Sequence, residues 1–146
     1  MTTTATARQL DKDTILALFK ATDRARRHYA GILRPWDLTL QQFNVLRILR
    51  GAAPEALPTL EIATRMIEKT PGASRLVDRL EAQGLVHRER CREDRRRVLC
   101  RPTARALKIL AELDEPIARA DSECQMRLSD REKRQLQDLT SRIATQ

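Results

Sequence analysis

LEIATRMIEKTPGASRLVDRLEAQGLVHRERCREDRRRVLCR, residues Leu60–Arg101, decides how the chain is read. Thr59 is placed to cap a short helix carrying Leu60, Ile62, Ala63, Met66 and Ile67. Thr70 followed by Pro71 is a start signal for a second helix: a capping hydroxyl, then a residue whose missing N–H costs nothing in the first turn. Over 70–80, Ala73, Leu76, Val77 and Leu80 recur at i, i+3, i+4 and i+7 and predict the buried face. Ser74, Arg75, Asp78 and Arg79 are thereby pushed outward. Gln83-Gly84 supplies the stop, since glycine tolerates the left-handed backbone that ends helices. Val86, Val98 and Cys100 have the spacing of two short strands around the tip Glu93-Asp94-Arg95-Arg96-Arg97, although the tip has no Asn-Gly turn signature.

The flanks read as helix. Residues 1–8, rich in Thr and Ala, are expected to form a frayed lead-in. A helix is predicted from Leu10 to Leu33, with Ile15, Leu18, Thr22, Ala25, Tyr29 and Ile32 as its seam, ended by Gly31 and Pro35. Thr39 is the expected N-cap of a helix through Leu49 that turns Phe43, Leu46 and Leu49 inward and closes at Gly51. Pro54 and Pro58 mark a loop. After the strands, Thr103 caps a helix from Ala104 to Met126, with Ala106, Leu110, Leu113, Ile117, Ala120 and Cys124 in a heptad-like seam. Pro116 within it should kink the helix or remove one backbone bond. Such a helix is about 35 Å long, so part of its seam is expected to meet a second subunit. Ser129-Asp130-Arg131-Glu132 is a capping box opening a last helix with Leu136, Leu139 and Ile143 on one face. No internal repeat or low-complexity tract interrupts this order.

The chain has 146 residues, enough for one domain with a real core, and that core must be aliphatic because aromatic residues are 3%. Its formal net charge is +8, which favours polyanions without choosing among them. Distribution is more telling. Between Leu85 and Arg101 stand seven arginines (88, 90, 92, 95, 96, 97 and 101) against Glu89, Glu93 and Asp94. That is +4, half the net charge, at one predicted hairpin, where a merely solvated face would mix the signs. No stretch approaches the roughly 18 apolar residues of a membrane span. Together with the missing signal-peptide core, this points to a cytoplasmic protein with no membrane partner. Three cysteines argue against a disulfide framework.

From about Thr39 to Leu110 the chain resembles the MarR family of winged-helix transcription regulators. The resemblance rests on Leu38-Thr39 with Gln42 and Val45-Leu46, then Glu61-Ile62-Ala63, and Ser74 through Glu81. Gly84-Leu85-Val86 with Arg88, and Asp94-Arg95-Arg96, complete it. The family's usual Leu-Thr, two residues, then Gly after the wing is replaced by Pro102-Thr103-Ala104-Arg105-Ala106. The expected fold class is mostly α with a small β-hairpin wing: a winged helix-turn-helix flanked by long N- and C-terminal dimerisation helices. One domain, 1–146, would comprise a DNA-binding lobe at about 38–103 and dimerisation helices at about 9–35 and 104–146.

The resemblance implies a homodimer on a pseudo-palindromic operator in double-stranded DNA, more a repressor than an activator. Two recognition helices related by a two-fold axis reach successive major grooves about 34 Å apart. On the recognition helix, Ser74 and Arg75 are the expected base readers, and Thr70 with the Gly72 N–H suits a phosphate or base edge. Lys69 and Arg79 are expected on phosphates. In the wing, Arg96 would enter the minor groove, Asp94 would orient the tip, and Arg92, Arg95 and Arg97 would contact backbone. Asp78 is expected to pair with Arg75 or Arg79 on its own helix.

The family also implies a small aromatic or carboxylate effector, for which Arg26, His28, Tyr29 and Trp36 form the candidate crevice; packing at a helix end is the competing reading of the same residues. A redox-responsive regulator acting through Cys91, set among arginines, stays open as an alternative. If Cys91 faces Arg97, Cys100 faces Arg88, and the two thiols lie on opposite sides of the hairpin. A winged-helix module for protein–protein assembly is the other alternative, against which the arginine-loaded tip speaks. An enzyme is not expected, nor a cofactor or metal. His28 and His87 are too few for a triad or zinc site, and the spacing of His87, Cys91 and Cys100 matches no ligand pattern.

Overall fold

In the computed structural model, residues 2–68 and 72–145 are described, with side chains from residue 6 onward. Helix α1 spans Thr2–Leu33 and passes through a 3-10 turn at Arg34–Trp36 into α2, Leu40–Ala52. Strand β1, Leu57–Pro58, leads directly into α3, Thr59–Arg65. Helix α4, Ala73–Ala82, is followed by strands β2, Val86–Arg90, and β3, Val98–Pro102. Helices α5, Ala104–Gln125, and α6, Asp130–Ala144, complete the order. The fold is thus mostly α with a small antiparallel sheet, a winged helix-turn-helix between long terminal helices.

Capping chemistry sets several of these boundaries. The Thr39 hydroxyl accepts from Gln42 N at 3.2 Å, and Gln42 Oε1 accepts from Thr39 N at 2.9 Å, a reciprocal box opening α2. Ser129 and Glu132 form the same device at α6. The φ of +70° at Gly84 ends α4, letting Gly84 N and Leu85 N bond back to the carbonyls of Glu81 and Leu80.

The structure departs from the expected elements in several places. The lead-in is helical from Thr2, because its alanines sustain the helix begun by the following turns. Gly31 and Gly51 lie inside α1 and α2; neither needs a positive φ, and their Cα positions face open space. The N-cap position before α3 is Pro58, and Thr59 is its first residue, its hydroxyl 3.7 Å from Cys100 Sγ. Pro58 belongs to a strand: Leu57 pairs with Cys100 and Pro58 with Leu99. The order is β1-β3-β2, so the proline sits on an edge strand, where a missing donor is tolerated.

The core is aliphatic, as composition requires. Leu33, Val45, Leu46, Leu49, Ile62, Val77, Leu80, Cys100, Leu110 and Leu113 are fully buried. The largest correction concerns α5. Ala106, Leu110, Leu113, Ile117 and Ala120 are at most 8% exposed within a single chain, packed through contacts with α1, α2 and β3. The heptad-like seam is therefore the protein's own core seam as far as Ala120, and what it leaves open to a second subunit is its last member, the exposed Cys124. Helix α5 continues through Pro116, whose ring nitrogen has no hydrogen to give the Glu112 carbonyl. Apolar surface is left elsewhere: Leu10 and Phe19 on α1 are 67% and 65% exposed, and Leu136, Leu139 and Ile143 on α6 are 44–50% exposed.

Candidate nucleic-acid interface

Helix α4 is amphipathic as the spacing demands. Ala73, Leu76, Val77 and Leu80 are buried, and Ser74, Arg75, Asp78 and Arg79 are exposed. It starts at Ala73, later than expected: Gly72 is the N-cap, and its carbonyl accepts from Leu76 N at 3.0 Å. Its backbone N–H is therefore at the mouth of the helix, not within the first turn. The Thr70-Pro71 start signal and the candidate residues Lys69 and Thr70 lie outside the described residues. Gln41 of α2 lies beside α4, and with Gly72, Arg75, Leu76 and Arg79 it lines a shallow cleft of about 190 Å³.

The wing follows the expected register. Arg88 pairs with Cys100, Arg90 with Val98, and Cys91 N donates to Arg97 O at 2.9 Å. Cys100 is buried on the inner face and Cys91 half-buried on the other. At the tip, the Asp94 carboxylate accepts the Arg96 N–H at 3.0 Å, and Arg97 N bonds to Asp94 O at 2.9 Å. The aspartate side chain thereby organises the turn that carries Arg96. Arg92, Arg95, Arg96 and Arg97 are all exposed. Arg90, Arg92 and Arg95 surround Cys91 in a cleft of about 310 Å³.

Asp78 departs from expectation. It pairs with Arg88 of β2 (Nη1–Oδ1 2.6 Å), not with Arg75 or Arg79. The same guanidinium donates from Nε to Glu81 at 2.7 Å. Glu81 first, and Asp78 after it, hold Arg88 above its already high ordinary range. Arg75, Arg79, Arg92, Arg95, Arg96 and Arg97 have no ion-pair partner among the described residues, whereas Arg26, Arg50, Arg88 and Arg101 each hold an acid.

Further contacts fix α4 from behind. The buried Gln42 donates to Gln83 Oε1 at 3.2 Å, and Gln83 Nε2 donates to Asp37 O at 3.1 Å. Asp37 itself has a φ of +53°, a left-handed turn that brings its carbonyl toward α4. Arg105 donates to Gln83 O at 3.1 Å. Sequence reading missed Gln41, Gln83 and Arg105 as contributors because their partners are distant in the chain, and Arg88 because its partners lie across a turn on another element. Only for Arg88 was a signal available, in its hairpin register.

The four crevice residues separate. Arg26 and Tyr29 line a cavity of about 280 Å³ with Phe43, Arg47, Met66 and Glu68. His28 and Trp36 do not reach it; His28 Nε2 is 3.2 Å from Glu123, and Trp36 Nε1 donates to Glu112 at 3.3 Å. Arg26 forms an ion pair with Glu68, which also accepts from Gln41 Nε2 at 2.7 Å. The Tyr29 hydroxyl donates to Asp121, and burial, then that hydrogen bond, pushes the phenol well above its ordinary range. It is a neutral donor at physiological pH.

A helix-turn-helix with an arginine-tipped hairpin beside it defines a winged-helix protein. Residues 36–97 match the model of the MarR family. A MarR transcription factor from Planctomyces limnophilus is 35% identical, with 89% of this chain and 94% of that one covered and a TM-score of 0.71. The chain belongs to the MarR family of transcription regulators. It is also 28% identical to the HTH-type transcriptional regulator MgrA of Staphylococcus aureus, over 92% of this chain and 89% of that protein. A mutant MarR from E. coli complexed with operator DNA shares the fold at a TM-score of 0.79, with 24% identity and 87% and 90% of the two chains covered. No described helix is long and apolar enough to cross a membrane.

Proposed function

We propose that this protein is a homodimeric, cytoplasmic repressor that reads a pseudo-palindromic operator and is released by a small carboxylate or aromatic effector. One observation carries the DNA-binding reading. The exposed guanidinium groups of α4 and the wing tip lack acidic partners among the described residues, while nearby acids are held by Arg88. In this reading Ser74 and Arg75 meet base edges, aided by the Gly72 N–H, and Arg79 meets phosphate. Lys69 and Thr70, which precede this helix in the sequence, are assigned to phosphate and to a phosphate or base edge. Arg96 enters the minor groove, held by Asp94, and Arg92, Arg95 and Arg97 meet the backbone.

The lobe at about 38–103 then serves DNA, and the exposed apolar faces of α1 and α6 meet a second copy. Residues 9–35 and the end of 104–146 are the dimerisation helices in this scheme. Two lobes would be spaced about one helical turn of DNA apart. Support for release by an effector comes from the cavity beside Arg26, Tyr29 and Arg47. Its wall includes Glu68, which directly precedes the segment entering α4. An anion taking Arg26 from Glu68 would reach the recognition helix by that short route.

The test is enrichment of an operator from a random duplex pool, followed by affinity against salt concentration. Each phosphate contact contributes roughly 0.9 to the slope, so several contacts give a steep fall. A shallow dependence with no enriched sequence would end the DNA-binding reading.

A further inference from the structure

The acids of the recognition helix, exposed Asp78 and half-buried Glu81, pose a problem. Between Ala73 and Ala82 the charged residues are Arg75, Asp78, Arg79 and Glu81, two of each sign. Taken alone, the helix is neutral and would carry two carboxylates toward a phosphate-lined groove. Arg88 changes this. It stands on the inner face of β2, opposite buried Cys100, with its side chain 30% exposed. From there it reaches Asp78 at 2.6 Å and Glu81 at 2.7 Å with one guanidinium. Both acids lie on the flank of α4 turned toward the wing, and Arg75 and Arg79 keep no acid partner among the described residues.

We infer that Arg88 is a positioning residue for DNA recognition: it sequesters Asp78 and Glu81 so that α4 presents only its arginines to phosphate. This rests on the DNA-binding reading above, but adds a residue that touches no DNA itself. The guanidinium also joins the strand that runs to the wing tip to the helix that reads bases. Arginine suits the role because its rigid fork can hold two acids at once, which a lysine ammonium does less well.

The test uses wild type, Arg88→Met and the triple variant Arg88→Met/Asp78→Asn/Glu81→Gln. Each is titrated against the duplex enriched by wild type at several salt concentrations, with thermal midpoints measured in parallel. Arg88→Met should bind on the order of tenfold more weakly, because it frees two carboxylates near the phosphates. That gap should narrow as salt rises, since repulsion between exposed charges is screened. The triple variant should return to within about threefold of wild type with the same salt slope, as no phosphate contact has been lost. It leaves no orphaned carboxylate, so it carries the test if Arg88→Met does not fold.

Wild-type affinity in Arg88→Met would overturn the inference. So would a triple variant still weak with its slope reduced by about 0.9, which makes Arg88 a phosphate contact. A gap that does not change with salt would reduce Arg88 to a fold-stabilising residue and overturn it too. Failure of wild type to enrich any duplex is a separate result, and overturns the DNA-binding reading on which the inference stands.

Discussion

Thr103 and Gly84 are joined side chain to main chain: the threonine hydroxyl donates to the glycine carbonyl at 2.8 Å. The same hydroxyl oxygen accepts from Ala106 N at 3.2 Å, and Thr103 N bonds to Leu85 O at 3.0 Å. One residue therefore caps α5 and anchors the turn that ends α4. The leucine and glycine usual around this threonine in the family are absent, yet the joint is made, with Arg105 adding a bond to Gln83 O. Thr103→Val keeps the shape and removes the hydroxyl. It should cost about 0.5–2 kcal/mol in urea denaturation, the range of a lost N-cap.

Two apolar surfaces differ in burial: the α5 seam is packed within the chain, and the α6 face is exposed and proposed to meet a second copy. Leu113→Ala hollows the single-chain core and should destabilise the protein by about 2–5 kcal/mol. Leu139→Glu on the exposed α6 face should leave the fold intact and, with the proposed dimer packed through that face, lower the mass measured by light scattering to that of one chain. A dimer that survives Leu139→Glu together with Phe19→Glu would remove α1 and α6 from the interface.

This difference shows what was legible in the sequence. The periodicity of α4 and the capping residues Thr39, Thr103 and Ser129 act within one turn of helix, and each was readable locally. The seam of α5 was readable as a stripe but not as to its partner, because a heptad pattern looks the same packed against α1 or against another chain. Pro58 read as loop because an edge strand of two residues has no pattern of its own. Helical spacing offers Asp78 a neighbour on its own helix, whereas its partner Arg88 comes from the adjacent strand. Among the crevice residues, helical position brought Arg26 and Tyr29 to the cavity and carried His28 and Trp36 toward α5.

Glu68 gives a pH signature. The hydrogen bond from Gln41, and then Arg26, hold its carboxyl below the ordinary value of 4.5 against an opposing effect of burial. A depressed folded-state pKa contributes stability that is present above the unfolded value and lost as pH falls through the folded one. Glu68→Gln should therefore be less stable than wild type at neutral pH, by under about 1 kcal/mol given the exposure of the pair. The difference should vanish in acid below the carboxylate range. A difference that persists there would assign the effect to packing.

The three thiols should react at different rates. Cys100 is fully buried, and burial pushes its thiol upward, so it stays protonated and shielded at neutral pH. Cys124 is exposed and Cys91 half-exposed. Iodoacetamide labelling of the native protein, read by peptide mass, should modify Cys91 and Cys124 and spare Cys100 until denaturant is added. Rapid labelling of Cys100 in the native state would show that the sheet opens against α3.

In the proposed function the Asp94-braced tip carries Arg96 into the minor groove, and the decisive measurement is titration of Arg96→Ala against the enriched operator. The variant should lose about 1–3 kcal/mol of binding free energy while keeping the wild-type thermal midpoint. Wild-type affinity in Arg96→Ala would mean that the wing tip does not enter DNA.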